Sequence, residues 1–330
     1  MKILLPFVVV VGLVLLAYAG VQANLQFLFG ILVPYAAFLV FVAGFIYRVV
    51  KWGQSPVPFR IPTTCGQQYS LPWVKQNKIE NPSTTMGVIV RMALEVFLFR
   101  SLFRNLKAEM VDGKRVVYGS DKWLWLAGLA FHYSFLFILI RHLRFFIQEP
   151  PWPIKTIEML DSFFQVGVPL LYITDLIIIA AVTYLFIRRV IIPQVKYISL
   201  PADYFPLFLI LGIAVTGVIM RYFTKVDIVG VKALAMGLVT LKPTVPAGIG
   251  SIFYIHLFLV SMLFLYFPFS KLMHMGGVFL SPTRNLVNNS RMVRHVNPWN
   301  YPVHVHTYEE YENDFREKMK KVGLPVEKES

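Results

Sequence analysis

Four histidines of this 330-residue chain lie in or beside long apolar segments, where ionisable side chains are rare. His132 and His142 are ten residues apart in the segment LAFHYSFLFILIRHLRFF, and His256 and His274 are eighteen residues apart around the last apolar segment. An ionisable group at membrane depth is costly, so it usually faces the protein interior and serves a function. Imidazoles in such positions are typical metal ligands or proton carriers.

The composition indicates a protein that crosses a membrane several times. Hydrophobic residues make up 56% of the chain and charged residues only 15%, which is too apolar for an ordinary soluble domain. The net charge of +14 would suggest nucleic-acid binding in a soluble protein, but a topological bias of Lys and Arg explains it better here. The single cysteine, Cys65, excludes disulfide frameworks, cysteine-bound iron–sulfur clusters and covalent c-type haem within this chain.

Six apolar stretches approach the roughly 20 residues that a helix needs to cross the hydrocarbon core of a membrane. They are Ile3–Val21, Leu28–Val50, Trp123–Ile147, Phe163–Ile187, Pro206–Tyr222 and Ile249–Phe269. The sequence therefore predicts an all-α, polytopic membrane bundle of six transmembrane helices. The first stretch lacks a convincing cleavage site and is interpreted as a retained helix rather than a signal peptide.

The distribution of Lys and Arg predicts the orientation of this bundle. If both termini face the cytoplasm, 25 of the 32 basic residues lie on the cytoplasmic side and 7 on the opposite side. This bias follows the positive-inside rule and favours six crossings of the inner (cytoplasmic) membrane. The third segment then runs outward and the sixth runs inward.

The chain divides into four predicted regions. Residues 1–50 hold two membrane helices, 51–122 form a cytoplasmic insert, 123–270 form a four-helix core, and 271–330 form a cytoplasmic tail. Within the insert, an amphipathic helix over 81–106 should lie at the membrane surface, with a seventh membrane span as the less favoured alternative, and precede a hairpin over 110–119. The tail should end in a short charged helix.

Antiparallel third and sixth helices would set the four histidines side by side in two pairs. His142 should meet His256 near the outer side, and His132 should meet His274 near the cytoplasm. Each pair could supply both axial ligands of a haem iron, as facing helices of a bundle commonly do. Eighteen residues equal five helical turns, whereas ten residues leave two side chains about 80° apart on a helix. Helix tilt and a bend at Pro268 should absorb this difference.

Several of these residues also have a less specific interpretation. A single membrane histidine is often only hydrogen-bonded in the interior, but two matched pairs favour two haems. Arg141 and Arg144 flank His142 and either neutralise haem propionates or simply anchor the helix at the interface. His304 and His306 could bind a metal, although a solvated or partner-facing tail is favoured because no further ligands cluster there in the sequence.

The histidine spacings resemble those of the gamma subunit of respiratory nitrate reductase, a five-helix dihaem cytochrome b that oxidises quinol. The resemblance covers the second to sixth segments, and the first segment and the insert are additional. The strings TTCGQQYSLPWVKQNKIENPS (63–83) and SPTRNLVNNSRMVRHVNPW (281–299) are similar to one subgroup of this family. That subgroup contains the membrane subunits of menaquinol-oxidising complexes tied to dissimilatory sulfite reduction.

This resemblance implies a subunit with two b haems that takes electrons from menaquinol. It also implies a cytoplasmic iron–sulfur partner resembling heterodisulfide reductase, in a larger membrane complex of sulfite or sulfate respiration. With the acceptor in the cytoplasm, quinol oxidation is expected at the outer haem, where the loop 148–161 closes the bundle. Lys155 or Asp161 of this loop could hydrogen-bond a quinone oxygen or carry its proton, or could be an ordinary solvated charge.

Two other classes of protein compete with this hypothesis. A proton-coupled transporter could use the histidines as relays, but it should show internal repeats and broken helices, and Asp175 is the only carboxylate deep in a predicted span. A structural anchor could carry packed histidines with no cofactor. Haem absorption would separate both from an electron-transfer subunit.

Overall fold

Long apolar helices form the body of the protein in the computed structural model, which describes residues 1–55, 57, 66–104, 106–162, 170–291, 302 and 304–328. The first eight helices are α1 (Leu4–Gln22), α2 (Val33–Gly53), α3 (Thr85–Leu98), α4 (Arg100–Phe103), α5 (Lys122–His142), α6 (Trp152–Asp161), α7 (Ile173–Ile191) and α8 (Pro193–Ile198). They are followed by α9 (Pro201–Val218), α10 (Ile228–Val239), α11 (Ser251–Tyr266), α12 (His274–Gly277) and α13 (Tyr308–Lys321). The predicted all-α membrane bundle is confirmed.

Five helical segments of the described chain are long and apolar enough to cross a membrane. They are Leu4–Gln22, Leu28–Gly53, Lys122–Phe145, Pro201–Thr224 and Ser251–Phe269. α7 is also 19 residues long, but it carries Asp175, Arg188 and Arg189 near its two ends. The predicted sixth crossing therefore depends on α7, and residues 163–169, which the sequence assigned to the same span, lie outside the described residues.

The membrane helices pack in a continuous layer. α7 contacts both α5 and α9, α11 contacts both α9 and α2, and α1 packs against α9 and α11. The larger apolar cluster is centred on the fully buried Leu209, Tyr254 and Leu259. A smaller one around Ile178 and Val182 joins α7 to its neighbours. Because lipid is as apolar as these side chains, close packing rather than exclusion of water holds such helices together.

The last membrane helix ends earlier than its apolar sequence predicts. α11 stops at Tyr266, and Pro268 lies in a 3₁₀ turn followed by extended backbone at Ser270, a second 3₁₀ turn and then α12. Proline lacks an N–H group and its ring clashes with the preceding turn, so the bend predicted at Pro268 is confirmed. Eighteen residues of regular helix would place His256 and His274 on one face, but the chain leaves the helix at Tyr266 and is extended at Ser270 before it reaches His274.

Two short helices on the side opposite the insert were not predicted. The segment 148–161 is not a loop, since α6 begins at Trp152 with Pro153 in its first turn, where a proline needs no N–H donor. α10 is a 12-residue apolar helix between the last two membrane helices. Both are too short to cross a membrane.

In the insert the structure has α3 and the short α4, with a break at Phe99, where the sequence predicted one helix over 81–106, and it has a hairpin where one was predicted. Thr84 caps the start of α3, and its hydroxyl accepts a hydrogen bond from the N–H of Gly87 at 3.2 Å. The strands β1 (Leu106–Val111) and β2 (Arg115–Ser120) pair in antiparallel fashion. Asp112 and Gly113 have positive φ angles of 54° and 66°, which suit a tight hairpin turn.

The insert and the start of the tail are joined to each other. The N–H of Asn288 donates to the carbonyl of Pro82 at 2.7 Å, and its side-chain amide donates to Oδ1 of Asn81 at 2.8 Å. Both asparagines are fully buried. Gln68 adds a hydrogen bond to Ser290 at 3.0 Å. Hydrogen bonds therefore join the segment before α3 to the segment after α12.

Candidate metal centres

The structure brings the four histidines together as two pairs of imidazole rings. The ring centres of His142 and His256 are 6.4 Å apart and their planes differ by 14°. Those of His132 and His274 are 5.9 Å apart and their planes are nearly perpendicular, at 83°. A metal–imidazole bond is about 2 Å long and the ring centre lies about 1 Å farther, so one ion between two rings requires about 6 Å. Both pairs meet this requirement.

Three of the four imidazoles donate to a backbone carbonyl of their own helical turn. Nδ1 of His132 lies 2.7 Å from the carbonyl oxygen of Gly128, and Nδ1 of His142 lies 2.7 Å from that of Ile138. Nδ1 of His274 lies 2.9 Å from the carbonyl oxygen of Lys271. A carbonyl oxygen can only accept, so Nδ1 carries the hydrogen in each ring. The lone pair is left on Nε2, the atom that would bind a metal.

His256 obtains the same tautomer from a side chain on α9. Its Nδ1 lies 2.9 Å from the hydroxyl oxygen of Thr216. That hydroxyl is 2.8 Å from the carbonyl of Gly212, to which it donates its own hydrogen. It therefore accepts from Nδ1–H of His256. A Cβ atom at Gly217 would stand 3.4 Å from Cε1 of this ring, so the glycine allows α9 to lie directly against it.

These hydrogen bonds are the kind that accompany metal-bound histidine, since a partner on the second ring nitrogen fixes both the tautomer and the ring orientation. Spacing and tautomer together fit two bis-imidazole iron sites, as expected for haem. Iron ligation by these residues stays a prediction.

Arg141 precedes His142 and is held by two carboxylates from other helices. Its Nε lies 2.9 Å from Oδ2 of Asp161, and its Nη2 lies 2.8 Å from Oδ1 of Asp175. Thr174 donates to Asp161 from its N–H at 2.9 Å and from its hydroxyl at 2.6 Å. Arg141 and Asp161 are 7% and 3% exposed, so this network is buried between α5, α6 and α7.

A second layer of contacts surrounds the buried network. The ring of Tyr172 contacts the guanidinium groups of Arg141 and Arg221, whose central carbon atoms are 3.6 Å and 4.0 Å from the ring centre. Its hydroxyl donates to Glu158 at 2.6 Å, and Glu158 forms an ion pair with Arg144. The arginines that the sequence marked for propionates thus have protein carboxylates as partners.

The two predicted quinone residues stand in different environments. Asp161 ends α6 in the buried network, so it is not a solvated loop charge. Lys155 lies on the exposed side of the same helix. Sequence reasoning missed Thr216, Glu158 and Tyr172, because each contacts residues far away in the chain and its neighbours in the sequence give no sign of that contact.

A carboxylate of the insert is paired with two arginines near α4. Glu80 accepts from Nε of Arg100 at 3.0 Å and from Nη1 of Arg104 at 2.6 Å. Burial alone would raise the pKa of Glu80, but the hydrogen bonds and charges of Arg104 and Arg100 bring the pKa below its ordinary value. The group is therefore ionised at neutral pH.

The tail brings His304, His306 and Glu310 together, with ligand atoms within 4.8 Å of one another. All three side chains are exposed, and the described part of the chain adds no fourth ligand to this group. A solvated or partner-facing tail stays the prediction for this segment.

Comparison with known proteins points to the same region of the chain. The sequence pattern of the nitrate reductase gamma subunit family matches residues 86–296, which include all four paired histidines. A protein of Archaeoglobus fulgidus named Hdr-like menaquinol oxidoreductase cytochrome b-like subunit is 46% identical over 279 residues, covering 82% of this chain and 83% of the relative. A protein of the same name from Archaeoglobus profundus is 44% identical over 273 residues, covering 81% of each chain. The chain is a multi-pass membrane protein and belongs to the nitrate reductase gamma subunit family.

Proposed function

We propose that this chain is a dihaem cytochrome b subunit that oxidises menaquinol near one membrane face and passes the electrons to a partner on the other. The observation that carries the proposal is the double pairing of imidazoles, each pair at a spacing suited to one iron and each ring with a fixed tautomer. Two haem b groups, one held by His132 and His274 and one by His142 and His256, would supply one-electron transfer.

The chain prepares each imidazole before any ligand binds. A hydrogen bond from Nδ1–H to a carbonyl or hydroxyl oxygen increases the basicity of Nε2 and sets the plane of the ring. His132 and His142 are ten residues apart on α5, which places the two sites about 15 Å apart along the helix axis. Two sites at different depths suit a relay across the membrane.

The proposal includes an orientation of the chain in the membrane. We place both termini in the cytoplasm, with 1–50, the core 123–270 and α7 in the inner membrane. The pair His142/His256 is then the outer pair and His132/His274 the inner pair. The insert 51–122 and the tail 271–330 lie on the cytoplasmic side, where most of the basic residues are found.

Menaquinol is the proposed donor because both relatives carry menaquinol oxidoreductase in their names. The outer pair is the proposed place of oxidation, since α6 closes the bundle there. Lys155 is exposed on α6 and is free to approach a quinone oxygen, whereas Asp161 can act on the quinone only by way of the buried network that holds α6. Loss of either should slow the reaction.

The test is steady-state oxidation of a menaquinol analogue by Lys155→Ala and Asp161→Asn, with both haems verified by absorption. Lys242→Ala, another exposed lysine on the predicted outer side, is the control. Unaltered rates and inhibitor affinity in both variants would remove these residues from the quinone site. Haem reduction that proceeds only from the cytoplasmic side would overturn the outer location.

The proposed partner is a cytoplasmic iron–sulfur subunit resembling heterodisulfide reductase, in a complex of sulfite or sulfate respiration. The Hdr-like names of the relatives and the connected insert and tail support this choice. Truncation after Ser290 keeps Asn288 and its contacts but removes the rest of the tail. The truncated protein should retain haem and lose the partner during purification. Continued copurification would show that the tail does not dock the partner.

A redox difference spectrum of purified membranes tests the function as a whole. A dithionite-reduced minus oxidised spectrum with b-type haem bands that menaquinol can also elicit is the expected result. A protein without haem absorption would favour the transporter, whose histidines would serve as proton relays.

A further inference from the structure

A bulky residue with strained backbone lies at the corner between α3 and α4. Phe99 has φ 48° and ψ 46°, the left-handed conformation that side chains other than glycine rarely adopt. Such conformations persist only where the surrounding structure fixes them, and they concentrate at functional positions. The corner belongs to the insert, outside the four-helix core.

Two side chains of α5 fix this corner. The hydroxyl of Tyr133 donates to the carbonyl of Phe97 at 2.9 Å, and Nε1 of Trp125 donates to the carbonyl of Leu98 at 2.7 Å. The last carbonyls of a helix have no partner within the helix, so these bonds satisfy the end of α3 and tie it to α5. The corner is therefore attached to the same helix that carries His132.

The fixed corner places an aromatic ring on a candidate iron ligand. The ring centre of Phe99 is 4.9 Å from that of His132, with the planes at 82°. One turn earlier, a Cβ atom at Gly128 would stand 3.3 Å from Leu102 and 4.0 Å from the ring of Phe99. The carbonyl of Gly128 also accepts from Nδ1 of His132. One turn of α5 thus orients the imidazole and makes room for the corner.

The geometry points to Phe99 as a positioning residue of the inner haem, which holds the ring plane of His132 and packs an apolar side chain from the insert against one side of this ligand. The inference rests on the proposed function, because it assigns a role towards the group that His132 would bind. An apolar ring on this side of the ligand excludes water there, and water would stabilise the more positively charged oxidised state. Phe99 should therefore keep the reduction potential of the inner haem higher than it would be with water at the ligand.

The experiment is a redox titration of the purified full-length protein with Phe99→Leu and Phe99→Gly. Leucine keeps apolar volume without the aromatic edge, and glycine removes the ring while suiting the left-handed backbone. Phe103→Leu is the matched control, since Phe103 is an aromatic residue of α4 whose ring contacts Trp125. The component that disappears in His274→Ala identifies the inner haem.

We expect both Phe99 variants to retain two haems, with the reduced-to-oxidised ratio of the inner haem lowered about threefold or more at a fixed potential. The low-spin electron paramagnetic resonance signal of the same haem should change, because that signal reports the angle between the two ligand planes. The outer haem and Phe103→Leu should match the unaltered protein.

Unchanged titration and unchanged resonance spectra in both Phe99 variants would overturn the inference. An equal shift in Phe103→Leu would also overturn it, because the effect would then belong to the packing of the insert in general. If the Phe99 variants do not fold, Gly128→Ala decides, since its methyl group would stand 3.3 Å from Leu102, which must shift slightly beside the Phe99 ring, and should alter the inner haem alone. Absence of haem from the unaltered protein would contradict the proposed function instead.

Discussion

The two imidazole pairs are held by different parts of the molecule. His142 and His256 belong to long membrane helices, their rings are nearly parallel, and Thr216 of a third membrane helix orients one of them. His132 faces His274, which lies on a four-residue helix beyond the bend, and the rings are nearly perpendicular. The membrane bundle alone defines the first pair, whereas segments outside it complete the second.

This difference suggests a division of labour. A buried ion pair joins two helices at the end near His142, and the insert, which is hydrogen-bonded to the tail, contacts the end near His132. Under the proposed function, the end near His142 would receive electrons from menaquinol and the end near His132 would pass them to the partner subunit. Substitutions at one end should therefore leave the haem at the other end unchanged.

The largest effect is expected from removal of a histidine that belongs to only one of the two pairs. His256→Ala should eliminate one haem and leave the other largely intact. His142 would lose its partner, whereas His132 and His274 would keep each other. The measurement is haem content and the number of components in a redox titration. His306→Ala, in the exposed tail, should retain both haems. Retention of two haems in His256→Ala would show that the pairs are wrongly assigned.

Next in size is the buried ion network near His142. Arg141→Met leaves Asp161 and Asp175 without their shared guanidinium, and breaking a buried pair costs on the order of 3–5 kcal/mol. Arg144→Met, which breaks a partly exposed pair with Glu158, should cost about 0–1 kcal/mol. Thermal unfolding in detergent should show a much lower midpoint for the first variant than for the second. Equal midpoints would mean that Arg141 does not stiffen this end.

Much of the fold follows from the sequence because apolar length and proline act locally. The long apolar segments predict membrane helices, and Pro268 predicts the bend before His274. The sequence does not show that α11 ends two residues before this proline, nor that α6 begins at Trp152. Those boundaries depend on capping and packing against other helices, which a single sequence does not display.

The sequence likewise predicts some features of the candidate site and not others. Spacing on antiparallel helices predicts which histidines meet, but ten and eighteen residues of helix rise by different lengths, and the bend before His274 absorbs the difference. Spacing cannot reveal that Thr216 supplies a hydrogen-bond acceptor to His256 or that Arg141 is bound by two aspartates. Such contacts join residues more than ten positions apart, and their side-chain types are common on membrane helices.

A smaller effect is expected from Thr216→Val, which keeps the shape of the side chain and removes the acceptor for Nδ1 of His256. Loss of such a partner typically reduces the affinity of a metal site 10–100-fold. The outer haem should be lost more readily on dilution in detergent or shift in potential, while the inner haem is unaffected. Thr216→Ser should restore the original behaviour. Equal effects on both haems would show that Thr216 only packs the bundle.

The smallest effect concerns the pH dependence of the insert. The pKa of Glu80 lies below its ordinary value of 4.5 because of Arg104 and Arg100, so the ion pairs stabilise the insert above pH 4.5 and are lost as the pH falls through the lowered value. Glu80→Gln should cost about 1 kcal/mol at pH 7 and weaken the acid dependence.

Hydrogen exchange of α3 and α4 at pH 7 and at pH values below 4.5 provides the measurement for this variant. Glu109→Gln, in an exposed strand of the hairpin, is the control and should leave both helices unchanged. An acid dependence identical in Glu80→Gln and the unaltered protein would assign the effect to other carboxylates.

The central claim is that this chain holds two haems between two pairs of histidines, and the number of b haems per purified chain tests it most directly. Alkaline pyridine extraction of the unaltered protein, with protein quantified by amino-acid analysis, gives this ratio. The account predicts two b haems per chain. A ratio of one would show that a pair of adjacent imidazoles is not enough to form a site, and a ratio of zero would contradict electron transfer by this chain.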